Sequence, residues 1–210
     1  MHVNIERLIG ENATTPTEVT VSDVIELHEL ETIHGDPVQI PDSKWLVHLQ
    51  FRRFAGCPIC NLHLQSIAQR HDEILAAGIR EVVVFHSSAE PMLELQGELP
   101  FAAVADPEKT LYAAYGVESS PKSVLHPRAL LTAVRTLTSR SAWEVAMRQR
   151  GLPADEGEEY LGLPADFLIG SDGRVIAAKY GTHADDQWSV DELLDLARHH
   201  RIPATAGGNG

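Results

Sequence analysis

The chain has 210 residues, of which 43% are apolar and 22% charged, a length and composition typical of one globular domain and not of a disordered chain. The formal net charge is −13, which argues against a nucleic-acid-binding surface. No apolar run is long enough for a membrane helix and residues 1–12 lack the apolar core of a signal peptide, so we expect no membrane contact and a cytoplasmic protein.

The two ends of the chain differ from its middle. Residues 1–22 have little apolar periodicity and are predicted to form a flexible arm, and the glycine-rich residues 203–210 are predicted to form a disordered tail. Residues 23–202 are predicted to form one domain. The domain pattern is interrupted at 117–161, where we expect a helical insertion that carries five arginines: Arg128, Arg135, Arg140, Arg148 and Arg150.

The first half of the domain alternates between strand and helix patterns. Apolar residues at every second position predict a strand over Trp45–Phe51. Apolar residues three and four apart then predict one helix from Pro58 to Ala77. The apolar run Val82–Phe85 predicts a strand buried on both faces, and Ser87 or Ser88 is predicted to cap a short helix after it.

The second half ends in a hairpin and a helix. Phe101–Ala105 is predicted to be a strand, followed by a helix capped by Asp106. The segments on either side of the turn at 170–173 predict a β-hairpin, and an amphipathic helix is predicted after Ser189. Alternating strands and helices followed by a hairpin indicate an α/β fold, with parallel strands between helices and an antiparallel edge.

The two cysteines, Cys57 and Cys60, are the strongest chemical signal. They follow a strand and begin a helix, where the helix dipole and unpaired N–H groups stabilise a thiolate. Arg52 and Arg53 add positive charge nearby. Because Cys57 is at the helix tip and Cys60 on the apolar stripe, we expect an exposed attacking thiol and a buried resolving thiol. A zinc site with His63 as a third ligand lacks a fourth ligand nearby, and we predict no metal.

Two other histidines lie on predicted strands. His86 ends the central strand, where parallel sheets carry functional groups, so it either approaches Cys57 or is a capped residue at the strand end. His48 is interpreted as a satisfied histidine of the core or of an interface. Neither histidine is predicted to bind a metal.

The segment Phe51–Cys60, with the letters FRRFAGCPIC, resembles the peroxiredoxin-like AhpC/TSA group of the thioredoxin-fold superfamily, whose motif is R-x-x-G-C-x-x-C. Ala105–Glu108, Leu111–Val117 and Ala165–Gly173 are similar to later segments of that group, and the resemblance runs from about Val21 to Arg198. It implies a thioredoxin-like fold, with a central mixed β-sheet flanked by helices. It also implies an antioxidant centre in which Cys57 and Cys60 are catalytic and form a disulfide, without a cofactor.

The sequence departs from true peroxiredoxins at positions that bind peroxide. Gln50 and Phe54 stand where that group has proline and threonine, and Pro164 stands where it has arginine. The position of Pro164 resembles the cis proline of disulfide reductases; the alternative is an ordinary trans turn proline. Phe51 occupies the place of the buried acid that thioredoxins have. Pro164 and Arg53 are the predicted substrate-binding residues.

Three functions follow from this pattern. The first is a thiol–disulfide oxidoreductase, in which the Cys57 thiolate attacks a substrate disulfide and Cys60 resolves the mixed disulfide. The second is a CxxC thiol peroxidase that reduces hydroperoxides, and the third is a non-catalytic redox-sensing or binding module. Either enzyme needs an external reductant, a thioredoxin-like protein or a low-molecular-weight thiol. A homodimer is one possible assembly, and no nucleic-acid partner is expected.

Overall fold

The computed structural model describes residues 18–117 and 162–200. Its strands form a two-stranded and a five-stranded sheet: β1 (His28–Glu31), β2 (Pro37–Ile40), β3 (Leu46–Phe51), β4 (Ile79–Phe85), β5 (Ala102–Ala105), β6 (Ala165–Ile169) and β7 (Val175–Tyr180). The larger sheet has the order β5-β4-β3-β6-β7, with β3, β4 and β5 parallel and β6 and β7 antiparallel. The predicted mixed sheet with an antiparallel edge is confirmed.

The helices lie at α1 (Pro58–Gln69), α2 (His71–Ala76), α3 (Ala89–Gln96), α4 (Thr110–Ala114) and α5 (Val190–His200). The prediction of one helix from Pro58 to Ala77 is wrong, because the helical dihedrals lapse at Arg70. The Arg70 guanidinium pairs there with Glu73 in the next turn and with Asp191 of α5, which anchors the bend.

The helix predicted to begin after Asp106 begins three residues later than expected. Its first helical residue is Thr110, with Lys109 at the N-cap position. The Asp106 carboxylate nevertheless accepts hydrogen bonds from the N–H groups of Thr110, Leu111 and Tyr112. Asp106 therefore satisfies the free N–H groups of α4 from outside the helix.

The sheet separates two apolar cores. Side chains of α1, α2, α3 and α5 pack on one face, where Leu64, Ile67 and Leu193 are buried. On the other face, α4 and the β1–β2 hairpin cover the alternate residues of β3, Val47, Leu49 and Phe51. The two-faced burial explains why β4 has a continuous apolar run from Val82 to Phe85.

A segment before β1 runs along the outer side of β7. The Ser22 N–H donates to the Val175 carbonyl at 2.8 Å, and the Val175 N–H donates to the Asp23 carbonyl at 2.8 Å. At the opposite edge of the sheet, the Ile33 N–H donates to the Ala103 carbonyl of β5 at 2.9 Å. The chain before β3 thus contacts both edges of the five-stranded sheet.

Several predictions concern parts of the chain outside the described residues. These are most of the arm (residues 1–17), the helical insertion after Val117 and the tail at 203–210. Within the described ranges, no helix has the length and apolar character that crossing a membrane requires.

Candidate redox site

The two cysteines meet at the start of α1, at the end of the loop that leaves β3. Cys57 is the N-cap residue of α1, and Pro58 occupies the first helical position, where its missing N–H costs nothing. The Cys57 sulfur accepts hydrogen bonds from the Cys60 N–H at 3.4 Å and from the Cys60 thiol at 2.8 Å. Both thiols are free and in near contact, as the spacing predicts.

The exposed attacking thiol predicted for Cys57 is wrong. Cys57 is 1% exposed and Cys60 is 0% exposed, so both sulfurs are shielded from bulk solvent. The side chain of Phe54 contributes to this burial, since it packs with the two cysteines and Ile59 in a small apolar cluster. The phenylalanine that replaces the threonine of the peroxiredoxin motif therefore forms part of the cover over Cys57.

The two thiols have opposite acidities. Burial by itself raises the pKa of the Cys57 thiol, but the hydrogen bond from Cys60, the Arg53 guanidinium and the N–H groups of Cys60 and Ile59 lower it to about 7. Burial and the neighbouring Cys57 sulfur raise the pKa of Cys60 well above its ordinary value. Near neutral pH, Cys57 is therefore the thiol that ionises, about half of it being thiolate at pH 7, while Cys60 remains the hydrogen-bonding thiol.

The two arginines before the cysteines are separated by the fold. Arg53 faces the site, where its guanidinium lies 5.6 Å from the centre of the Phe54 ring and lowers the pKa of Cys57. Arg52 points to the opposite side, is fully buried and donates to Asp166 at 2.7 Å and to Gln50 at 2.6 Å. Of the two arginines, Arg53 is the one that acts on the thiolate.

Arg52 belongs to a buried charged network between the sheet and α1. His48 of β3 donates to Glu81 of β4 at 2.8 Å, and its other ring nitrogen lies 3.4 Å from Asp166 of β6. Gln50 also donates to Glu81, and Asp166 joins the two parts of the network through Arg52. His48 is thus a core histidine, as one of its two interpretations predicts, but only its Nδ1 is hydrogen-bonded, and its Nε2 has no hydrogen-bond partner among the described residues.

Pro164 lies at the start of β6, beside the end of β3. Ala165 pairs with Phe51, so Pro164 is level with Arg52. Within residues 18–117 and 162–200, the cis peptide bond is Ile40–Pro41. The Leu163–Pro164 bond is trans, so the prediction of a cis proline at position 164 is wrong. The Pro164 carbonyl accepts the Gly181 N–H at 2.8 Å, which extends the β6–β7 ladder by one pair.

His86 is buried at the end of β4, near the same loop. Its ring packs edge-on against Tyr112, with centroids 5.8 Å apart. Gly162 lies next to both His86 and Arg53. A Cβ atom placed on Gly162 would be 3.6 Å from His86 Nε2 and 3.5 Å from Arg53 Cγ. His86, Arg53 and Gly162 therefore meet at the sheet end from which the Cys57 loop leaves.

Three polar side chains that were not predicted to belong to the site hold the backbone polar atoms of Ala55. The Ala55 N–H donates to Ser87 Oγ at 3.0 Å, and its carbonyl accepts from Asn61 Nδ2 at 3.1 Å and Gln96 Nε2 at 2.8 Å. We call these residues, Ser87, Asn61 and Gln96, the Ala55 clamp; all three are buried. In the sequence, the signal that could have identified Asn61 and Gln96 is an amide side chain on an otherwise apolar helix face.

The other concave region of note lies away from the cysteines. A groove of about 430 Å³ is lined by residues of β2, α2 and the start of β4, including His34, His71 and Arg80. Neither cysteine lines it. Within the described part of the chain, no group of three potential metal-ligating side chains occurs.

The sequence matches the family described as AhpC/TSA antioxidant enzyme over residues 66–183. The match covers more than half of the chain but begins at Ser66, after Cys60, so it assigns no role to the cysteines. A comparison with curated protein sequences found no significant match.

The fold is similar to that of several solved structures. Peroxidoxin BcpB from Mycobacterium tuberculosis has 15% identity and a TM-score of 0.61, covering 88% of this chain and 99% of that one. A 2-Cys peroxiredoxin from Plasmodium vivax has 14% identity and a TM-score of 0.59 over 87% of this chain and 83% of its own. A putative thiol:disulfide interchange protein DsbE from Chlorobium tepidum has 17% identity and a TM-score of 0.54, covering 86% and 99%. These likenesses establish the thioredoxin-like fold.

Proposed function

We propose, given that this chain belongs to the AhpC/TSA antioxidant enzyme family, that it is a two-cysteine thiol peroxidase for small hydroperoxides. Thiol-based redox chemistry is common to the family and to the fold of its structural neighbours. Cys57 is the attacking thiolate and Cys60 the resolving thiol. An external thiol reductant, a thioredoxin-like protein or a low-molecular-weight thiol, returns the pair to the reduced state, in a reducing compartment such as the cytoplasm.

The observation that carries the proposal is a polarised Cys57 thiol that is nearly inaccessible to solvent. Attack on a protein disulfide requires a second large molecule to bring its sulfurs to Cys57 in line. With Cys57 1% exposed under Phe54, a small hydroperoxide reaches the sulfur with far less movement of the cover. The burial of Cys57 thus favours a small substrate over a protein disulfide.

The chemistry proceeds in two steps that balance atoms and electrons. The Cys57 thiolate attacks the terminal oxygen of the hydroperoxide; an S–O bond forms, the O–O bond breaks and the alkoxide leaves and takes up a proton. The Cys60 thiol then attacks the Cys57 sulfur; an S–S bond forms, the S–O bond breaks, and water leaves with the Cys60 proton. The 2.8 Å between the sulfurs means that resolution needs little movement of the chain.

Arg53 and Pro164 keep the substrate-binding roles that we proposed from the sequence. The guanidinium of Arg53 favours the Cys57 thiolate and is the cation positioned to stabilise negative charge as the O–O bond breaks. Pro164 lies at the same end of the sheet, and we propose that it forms part of the wall of the substrate site.

Thiol–disulfide exchange is the second candidate. The near contact of Cys57 and Cys60 at a helix start favours it, because a vicinal pair of this kind closes a disulfide after attack on any substrate sulfur. One solved structure of similar fold is a putative thiol:disulfide interchange protein. The trans bond at Pro164 removes the argument that a cis proline would have given this function.

Parallel turnover assays separate the two enzymes. Hydrogen peroxide, an organic hydroperoxide and a protein disulfide are offered to the full chain under a common thiol reductant. We expect saturable hydroperoxide reduction with much slower disulfide exchange. Fast disulfide exchange with no peroxide turnover would decide for the second candidate, and absence of both would favour a non-catalytic redox-sensing module.

The single cysteine variants assign the roles. Cys57→Ser should abolish turnover, since it removes the thiolate. Cys60→Ser should accumulate a sulfenic acid on Cys57, which a dimedone adduct at that residue would report by mass spectrometry. A sulfenic acid trapped on Cys60 in the Cys57→Ser variant would instead reverse the assignment.

A further inference from the structure

The loop before Cys57 has no regular secondary structure, yet both backbone polar atoms of Ala55 are hydrogen-bonded by side chains. The N–H of Ala55 donates to Ser87 Oγ, and its carbonyl accepts from both Asn61 and Gln96. Gln96 Nε2 also donates to Asn61 Oδ1 at 2.6 Å, so the two amides brace each other. Hydrogen bonds in a buried site of this kind restrain the loop more strongly than they would at the surface.

The clamp joins three elements to the residue that precedes Gly56 and Cys57. Asn61 is on α1, Gln96 ends α3 and Ser87 follows β4. Asn61 is linked to the loop twice, since its N–H also donates to the Cys57 carbonyl at 3.0 Å. Because the peptide after Ala55 is trans, holding the Ala55 carbonyl also fixes the direction of the Gly56 N–H, on the opposite side.

We propose that Asn61 and Gln96 are positioning residues that hold the Cys57 sulfur at the N-cap of α1 by fixing the Ala55–Gly56 peptide. Cys57 is acidic only while its sulfur stays at the N-cap of α1, next to the Cys60 thiol, the N–H groups of Cys60 and Ile59, and Arg53. A loop free to rotate at Ala55 moves the sulfur away from these donors. The inference rests on the proposed function for the importance of the thiolate, but its test needs no turnover.

The test compares the Cys57 pKa, from thiolate absorbance against pH, in Gln96→Met and Asn61→Leu. Both changes replace the amide with an apolar side chain of similar length and remove the donors to Ala55. We expect each to raise the Cys57 pKa by about one unit, roughly a tenfold lower thiolate-to-thiol ratio. The matched control is Gln69→Met, at the exposed end of α1, which should leave the pKa unchanged.

The double variant adds a second readout. Since the two amides hold one carbonyl and each other, its shift in pKa should be smaller than the sum of the single shifts.

A lower melting temperature with an unchanged Cys57 pKa would show a purely structural role and overturn the inference. If Gln96→Met does not fold, Ser87→Ala removes the acceptor of the Ala55 N–H and must give the same direction of shift. If the unmodified protein shows no peroxidase activity, the proposed function is overturned, whereas the inference about Asn61 and Gln96 is not.

Discussion

Arg52 and Arg53 are adjacent in the chain but have opposite roles. Arg53 lies over the Phe54 ring and lowers the pKa of Cys57, whereas Arg52 is buried against Asp166. Alternation of side chains at the end of β3 sends the two guanidinium groups to different sides of the sheet. One positive charge therefore serves the thiolate, and the other balances a buried carboxylate.

The contribution of Arg53 is testable by removing its charge. Arg53→Gln should raise the pKa of Cys57 from about 7 towards its ordinary value of 9.0, because the nearby cation is lost while burial persists. Arg53→Lys keeps the charge and should retain most of the effect. The measurement is the rate of Cys57 alkylation against pH, and an unchanged profile in Arg53→Gln would contradict the assignment.

The thiol pair could be predicted from the sequence, but its burial could not. The strand, the C-x-x-C spacing and Pro58 fix where Cys57 and Cys60 lie, since each acts within a few residues. The cover over Cys57 depends on the direction in which the Phe54 side chain turns, which tertiary packing decides. The isomer of the Leu163–Pro164 bond is likewise not readable from the local sequence, because both isomers can precede a strand.

At the scale of elements, three strands share one buried electrostatic network. His48 of β3, Glu81 of β4 and Asp166 of β6 are all fully buried, with Arg52 as a further cation. Local periodicity predicts each strand but not which polar positions become neighbours, because register between β3 and β6 comes from residues over a hundred positions apart. The only sign of this network in the sequence is a charged residue within a strand that is otherwise fully apolar and buried.

Removing one member of this network should be costly. Asp166→Asn leaves the Arg52 guanidinium and His48 with less negative charge to balance them, so we expect the free energy of unfolding to fall by about 3–5 kcal/mol. Urea denaturation measures the change. Asp195→Asn, which breaks an exposed pair with Arg198, is the control and should cost less than about 1 kcal/mol. Equal losses in both variants would contradict a special role for the network.

At the scale of the whole molecule, a chain whose two cysteines do not titrate should be most stable near pH 6.5. Despite the cost of burial, Glu81 and Asp166 raise the pKa of His48 to about 9, so its stabilisation is complete below pH 6.5 and is lost as the pH rises through 9. Burial and the charge of Arg52 lower the pKa of His63 to about 3. The stability that depends on neutral His63 is therefore complete above pH 6.5 and is lost as the pH falls towards 3.

Urea denaturation across pH tests this in the Cys57→Ser/Cys60→Ser background, where the thiols do not titrate. We expect losses of roughly 1–3 kcal/mol on each side of the maximum. His48→Gln should flatten the alkaline side and His63→Gln the acid side, while His199→Gln, on the exposed end of α5, should change neither. A profile that keeps both slopes in both variants would rule out these histidines as its origin.

The backbone contacts before β3 also bear on how the chain avoids aggregation. Unpaired edge strands are templates for strand addition by other molecules. Here Ser22 and Asp23 occupy the outer hydrogen-bonding groups of Val175 on β7, and Ile33 occupies the Ala103 carbonyl on β5, so a single stretch of chain covers one residue on each edge. Proteolytic removal of that stretch would expose the two edges together, and the shortened chain would then be expected to self-associate even with its cysteine pair intact.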